Sequence, residues 1–250
     1  MTEPQVLDRT ASDVEVERQL AADCATYYDD PLGFVRGLYP WPINGEPGPD
    51  AWQVSVIEDI GRQVKDRGFD GNHAVMPIRE AVSSGHGIGK DALFAWLVDW
   101  VMSTRPHSQG TVTANTNDQL QTKTWATIRA WTKLCATSHW FEINSTIMYR
   151  KGYRESWFCT PQSSKEENSE AFAGQHSKGS TSFYIFSEAS AIAAAVWKVA
   201  EGGLTDGEPM FFIGGNPTRN DGEFHRACFG DMRHRWHPTV IDSRDCALPN

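Results

Sequence analysis

The sequence predicts an α/β domain in three layers, with a mainly parallel sheet flanked by helices. Three observations predict it. Short apolar runs alternate with longer stretches of helical periodicity, the pattern of strand–helix–strand units. Several of those runs stop abruptly at small or polar residues, as strands do where they emerge at the ligand-binding edge of an open sheet. At 250 residues and 40% hydrophobic content, the chain is long enough to bury a large core.

Taken in order, Ser12-Asp13-Val14-Glu15 reads as a capping box that opens a helix to about Cys24. The Pro/Gly-rich stretch Leu38 to Asp50 closes an N-terminal arm, placing a boundary near residue 50 and the main domain over 51–245. A helix follows Asp50, and Ile78 to Val82 reads as a strand. Asp91 to Met102 is apolar nearly all round, as expected of a helix packed on a sheet. Thr111 to Ala114 is the next strand, followed by a helix with Leu120, Trp125 and Ile128 on one face. Ser145 to Arg150 and Ser156 to Thr160 read as strands flanking a basic turn at Lys151-Gly152. Phe183 to Phe186 and Met210 to Ile213 complete the strands, and Trp96, Trp100, Trp125 and Trp131 fall at helical spacings that mark core.

Composition excludes several classes. The longest strongly apolar run, Ala92 to Met102, contains Asp99 and is too short to span a bilayer, so no membrane association is expected. Met1 to Thr10 is polar and is not a secretory signal. The five cysteines are scattered with no C-x-x-C pair, which favours reduced thiols over a disulfide framework or a zinc site. His225, His234 and His237 with Cys228 fit no zinc spacing and read as surface or core residues. With a net charge of −9, any contact with nucleic acid must come from a local patch. Arg150-Lys151-Gly152-Tyr153-Arg154 is the basic candidate, with a solvated turn as its simpler reading.

Four strands end in groups that could converge on one crevice: Ser83-Ser84-Gly85, Asn115-Thr116, Ser187-Glu188 and Gly215-Asn216. The first leads into Ser84-Gly85-His86-Gly87-Ile88-Gly89-Lys90-Asp91, placed between a strand and an apolar helix. Backbone N–H groups in such a loop wrap phosphate oxygens, and Lys90 would reach the terminal phosphates. The loop departs from the G-x-x-x-x-G-K-[ST] pattern, since Ser84 replaces the first glycine and Asp91 replaces the metal-holding hydroxyl. Phe183 to Glu188 is an apolar strand ending in an acid. There Ser187 stands at the place of a magnesium-positioning aspartate, and Glu188 at the place of the water-activating base. One carboxylate and one hydroxyl are thus present with their places exchanged, which makes Asp91 and Ser187 the candidate magnesium pair.

In this order the motifs resemble the ATPase domain of the large terminase subunit, the motor that packages DNA into tailed-phage heads. Trp52-Gln53 is similar to that family's adenine-contacting Q motif, Ser84 to Lys90 to its Walker A loop, and "TANTNDQL" to the motif after its second strand. "FSEASAI" is similar to its Walker B segment, and "GGNPT" to its coupling motif. The resemblance runs from about Trp52 to Phe224. It implies a RecA/ASCE-like P-loop NTPase fold, with ATP and Mg²⁺ as cofactors and hydrolysis driving translocation of double-stranded DNA. By the same resemblance, Gln53 would contact adenine, Glu188 would act as base, and Gly215-Asn216 would couple hydrolysis to movement. Arg79 would be an arginine finger, with pairing to a neighbouring acid as the alternative. Also implied are a portal protein and a small terminase subunit as partners, self-association, and location in the host cytoplasm. The family's metal-dependent nuclease domain is not expected within this chain, and neither is nuclease activity. Two alternatives stand beside the motor: a helicase-like ATPase stimulated by single strands, and a nucleotide-binding assembly module with impaired hydrolysis.

Overall fold

In the computed structural model, residues 11–172 and 179–246 are described. Helices α1 (Ala11–Thr26) and α2 (Pro31–Leu38) come first; the capping contact expected of Ser12 lies outside the described residues. Helix α3 (Ala51–Arg67) opens on a full capping box between Asp50 and Gln53 and closes on Gly68 in the left-handed conformation. Strand β1 (Ile78–Ser84) leads into α4 (Lys90–Thr104), and β2 (Gln109–Thr113) into α5 (Asn117–Gln119). A π-helical turn (Leu120–Thr124) joins α5 to α6 (Trp125–Thr132). Strands β3 (Phe141–Ile143), β4 (Met148–Arg150) and β5 (Phe158–Pro161) form a meander. The chain then runs through β6 (Ser182–Ser187), α7 (Ala194–Gly202), β7 (Met210–Gly215), α8 (Gly222–Cys228) and β8 (His237–Ile241).

The eight strands lie in the order β3-β4-β5-β2-β6-β7-β1-β8. From β5 to β8 every neighbouring pair is parallel, and only the β3–β4–β5 edge is antiparallel. Both faces of the central strands are covered, so side chains alternate between two cores. Phe183 and Ile185 of β6 point to the side of α2, α3, α4 and α6, together with Ile78, Val82, Met210 and Phe212. Tyr184 and Phe186 point to the side of α7 and α8, with Ala81, Phe211, Ile213 and Trp236. These are the three layers expected.

The N-terminal stretch belongs to the same core. Phe34 and Val35 are buried with α4, Trp100 donates its indole N–H to the Tyr27 carbonyl at 2.8 Å, and the Tyr39 hydroxyl reaches the Asp99 carboxylate at 2.6 Å. The Pro/Gly-rich composition therefore marks turns within the domain, and α2 is a helix that the reading from sequence did not resolve. Among the described residues no helix is long and apolar enough to cross a membrane. Asp99, the acid inside the apolar helix, also accepts from Thr132 Oγ1 at 2.7 Å, and burial pushes its pKa up to about 7.

Strand β4 starts later than the expected Ser145. The Asn144 side chain accepts from the backbone N–H groups of Thr146 and Ile147 and holds those residues in a turn. Strand β5 likewise starts after Ser156 and Trp157, whose N–H groups close a turn on the Tyr153 carbonyl. Two of the three basic residues at the tip between them stack on aromatic rings. Arg150 lies over the Trp140 ring at 4.5 Å and Arg154 over Tyr149 at 4.9 Å.

Candidate nucleotide site

The carboxyl ends of β6, β7 and β1 stand side by side. Ser187 is level with Gly214, Gly214 with Val82, and Gly215 with Ser83. Because β7 lies between the other two, strands β1 and β6 are two strand spacings apart, about 10 Å, and the glycine loop and the turn after β6 close over the end of β7.

The loop needs its glycines. Gly87 and Gly89 have φ of 78° and 88°, values that side chains beyond Cα disfavour. Ile88 is buried and pins the loop, while His86 and Gly87 face solvent. Gly85 is closely approached: a Cβ there would meet Ser243 Oγ at 2.3 Å, because the segment after β8 folds against the loop. Lys90 opens α4 at 8% exposure, with its ammonium donating to Ser84 Oγ at 3.0 Å and to the Gly85 carbonyl at 2.6 Å. Burial lowers its pKa, and the Glu188 and Asp91 carboxylates push it back up. A buried cation held by two neutral oxygens, beside a curled loop, suits an anionic ligand.

Asp91 and Ser187, ninety-six residues apart in sequence, meet here: Ser187 Oγ donates to Asp91 Oδ1 at 3.0 Å. Thr124, from the π-helical turn, donates to the same oxygen at 3.2 Å. Next to Ser187, Glu188 has φ 51° and ψ 44°, a left-handed conformation that a non-glycine residue adopts at a cost of about 1–2 kcal/mol. His86 Nδ1 of the loop lies 3.9 Å from its Oε1. Gly215 makes the approach of this turn possible, since a Cβ on it would lie 3.0 Å from the Ala189 nitrogen and 3.4 Å from the Glu188 carbonyl carbon.

Gln53 occupies a place different from an open base-reading position. It is 2% exposed, its Oε1 accepts from the Asp50 N–H at 2.8 Å, and its Nε2 donates to the Gly89 carbonyl at 3.1 Å. It therefore ties the start of α3 to the end of the glycine loop. A cavity of about 290 Å³ adjoins it, walled by Trp41, Ile43, Ala92, Trp96 and Trp131. Trp52 is half-buried with an indole N–H that has no acceptor among the described residues.

Arg79 is not brought to the site. It precedes Ser84 by five residues along β1, about 16 Å at strand rise. Its guanidinium is fixed by Glu201 at 2.8 and 3.2 Å, so the acid that pairs with it is Glu201 rather than Glu80. The histidines also stay apart: His225 packs on Phe229, His234 bonds the Asp231 carbonyl, and Cys228 is buried. His237 instead sits near Asp59 and Glu80, but Asp59 is already taken by Arg62 and Gln63, and Glu80 by Gln63. Thr124 and Ser243 were not foreseen, and Gly214 was read only as part of the GGNPT motif. Nothing local in "LQTKT" marks Thr124, and only the folded sheet places it.

Strand order, glycine loop and strand-end acid define the chain's class as a P-loop NTPase fold of the RecA/ASCE kind, with one strand inserted between the loop strand and the acid strand. No family model matches the chain. The chain is 26% identical over 162 residues, 62% of its length, to the "Probable terminase, large subunit" of Enterobacteria phage P7, and spans 31% of that relative. Two solved structures share its fold. The Thermus phage P74-26 large terminase ATPase domain, as a point variant, superposes with a TM-score of 0.50 at 15% identity, over 82% of this chain and 87% of that one. The large terminase of a thermophilic bacteriophage does so with a TM-score of 0.56 at 10% identity, over 77% and 45%. The chain is thus similar in sequence to a protein named as a probable terminase large subunit and shares the fold of large-terminase ATPase domains.

Proposed function

We propose that the chain is the ATP-hydrolysing motor domain of a terminase large subunit, driving double-stranded DNA into a viral capsid in the host cytoplasm. The observation that carries the reading is the meeting, at three adjacent strand ends, of the Lys90 ammonium, the Asp91–Ser187 pair and the strained Glu188. In this reading the N–H groups of residues 85–89 and Lys90 bind the β- and γ-phosphates. Ser84 holds the Lys90 ammonium, and Gln53 holds Gly89 at the edge of the cavity where adenine would lie. Glu188 orients a water and takes its proton as the water attacks the γ-phosphorus and the bond to the ADP oxygen breaks. The oxygen-only donor set beside Lys90 suits magnesium, which supplies charge neutralisation on the phosphate oxygens when bound. Gly215 and Asn216, against the Glu188 turn, pass the state of the γ-phosphate to the DNA-gripping surface. Double-stranded DNA, a portal protein, a small terminase subunit and further copies of the chain are the partners this role requires.

ATP turnover tests it, measured for the parent and for Glu188→Gln with and without DNA. The Gln variant keeps the side-chain shape but accepts no proton, so turnover should fall about 100-fold or more while ATP affinity holds. Equal turnover would place the base elsewhere. Stimulation by single rather than double strands would turn the reading toward a helicase.

A further inference from the structure

We infer that Asp91, in the first turn of α4, has taken over the magnesium-holding role of a strand-end carboxylate, with Ser187 and Thr124 as the positioning residues that hold it. The inference rests on the P-loop reading above. In that pattern the residue after the lysine is a hydroxyl, the penultimate acid of the second motif is a carboxylate, and the two face the same ion. Here the helix supplies the carboxylate and the strand the hydroxyl, and the two remain in hydrogen-bond contact at 3.0 Å. The exchange leaves the charge of the pair unchanged. Two unrelated losses would not be expected to leave a bonded, complementary pair.

The geometry adds a third member. Ser187 and Thr124 both donate to Oδ1 of Asp91, and neither bonds Oδ2. One oxygen is thereby fixed by two hydroxyls, while the half-buried carboxylate keeps a second oxygen for a ligand. Thr124 itself is 2% exposed and ends the π-helical turn, an irregularity that recurs at functional sites. Through Thr124 the metal carboxylate is linked to the segment after β2. Supporting groups around a metal ligand restrict its orientation, and their loss weakens metal binding about 10–100-fold.

The test reads metal affinity rather than turnover. Mn²⁺ binding is titrated by electron paramagnetic resonance on the protein saturated with a non-hydrolysable ATP analogue. Affinity for the analogue alone is measured by calorimetry in EDTA. Asp91→Asn, which keeps shape and the Oδ1 acceptor, and Asp91→Ser should each weaken Mn²⁺ binding at least about tenfold, leaving affinity in EDTA within about threefold. Thr124→Val should weaken Mn²⁺ binding in the same direction. Ser187→Asp alone should also hurt, because two carboxylates would then face each other beside Glu188. The double change Asp91→Ser with Ser187→Asp should return Mn²⁺ affinity to the parent level. Additive effects, or Mn²⁺ affinity indifferent to Asp91→Asn, overturn the exchange. Failure of the parent to bind the analogue under either condition instead overturns the P-loop reading beneath it.

Discussion

Replacing Lys90 by methionine separates binding from folding. The lysine stem packs on β7, because a Cβ at Gly214 would lie 3.5 Å from Lys90 Cδ, and methionine keeps most of that contact. In the free protein the ammonium has two neutral partners, Ser84 Oγ at 3.0 Å and the Gly85 carbonyl at 2.6 Å. Each such bond to a charged group contributes about 1.5–3 kcal/mol, but burying the ammonium costs several kcal/mol, so the two nearly cancel. Lys90→Met should therefore shift the stability of the free protein by no more than about 1 kcal/mol, in either direction. In the complex, losing the charge-assisted phosphate contact should weaken ATP by about 1.5–3 kcal/mol, or about 13- to 160-fold. Calorimetric titration with ATP, paired with urea denaturation of both proteins, reads the two quantities separately. An ATP affinity within threefold of the parent refutes the phosphate role. A loss of several kcal/mol in stability with affinity intact would make Lys90 a structural residue.

Gly215→Ala puts a methyl 3.0 Å from the Ala189 nitrogen, so the Glu188 turn must yield. Strain of about 1–3 kcal/mol should lower Tm by about 2–4 °C per kcal/mol and reduce turnover more than ATP affinity, as scanning calorimetry and a steady-state assay will show. Gln53→Ala removes the bonds to the Gly89 carbonyl and the Asp50 N–H. It should cost about 1–3 kcal/mol in denaturant unfolding, and no change would mean the loop holds itself. Asp99 titrates near 7 when folded against an ordinary 3.8, so the native state holds a proton that the unfolded chain releases between those values. Stability should therefore fall as pH rises from about 4 to 7, by up to about 1.4 kcal/mol per unit, and Asp99→Asn should lose that part of the slope when unfolding is compared at pH 5 and 7.5.

The fold was legible where a pattern repeats along the chain. Apolar strands such as Phe183 to Phe186, buried on both sides, announce themselves, as does the apolar helix after Lys90. Strand β8 was not seen because, at the sheet edge, His237 and Val240 are exposed and Pro238 interrupts any β signal. Helix α2 hid behind turn residues that serve as its borders. The loop and the strand-end acid of the site could be read locally, since their glycines and charges are needed at fixed offsets. Arg79 could not be placed, because its direction depends on which end of β1 meets Glu201, a residue 122 positions away. Gln53 was legible as a residue but not as a clamp: a capping signal and a base-contact signal use the same amide. Thr124 had no signal at all, since a buried threonine in a polar helix start acquires meaning only from Asp91 opposite.

The two glycines that end β7 connect these parts. Successive strand positions face opposite sides of a sheet. Gly214 faces α4, where a Cβ would strike Phe94 Cζ at 2.7 Å and come within 3.5 Å of the Lys90 stem. Gly215 faces the turn that carries Glu188. One bare strand end thus lies against the Lys90 stem on one side and the Glu188 backbone, the proposed base, on the other. Gly215 packs on backbone and Gly214 on the Phe94 ring and the Lys90 stem, and close packing on both sides would couple a displacement at one place to the other. Asn216 follows directly at the tip of the same strand. In the proposed reading, a change at the γ-phosphate sensed by Lys90 and Glu188 would reach Asn216 through their packing on β7, with the left-handed Glu188 as the strained element on that path.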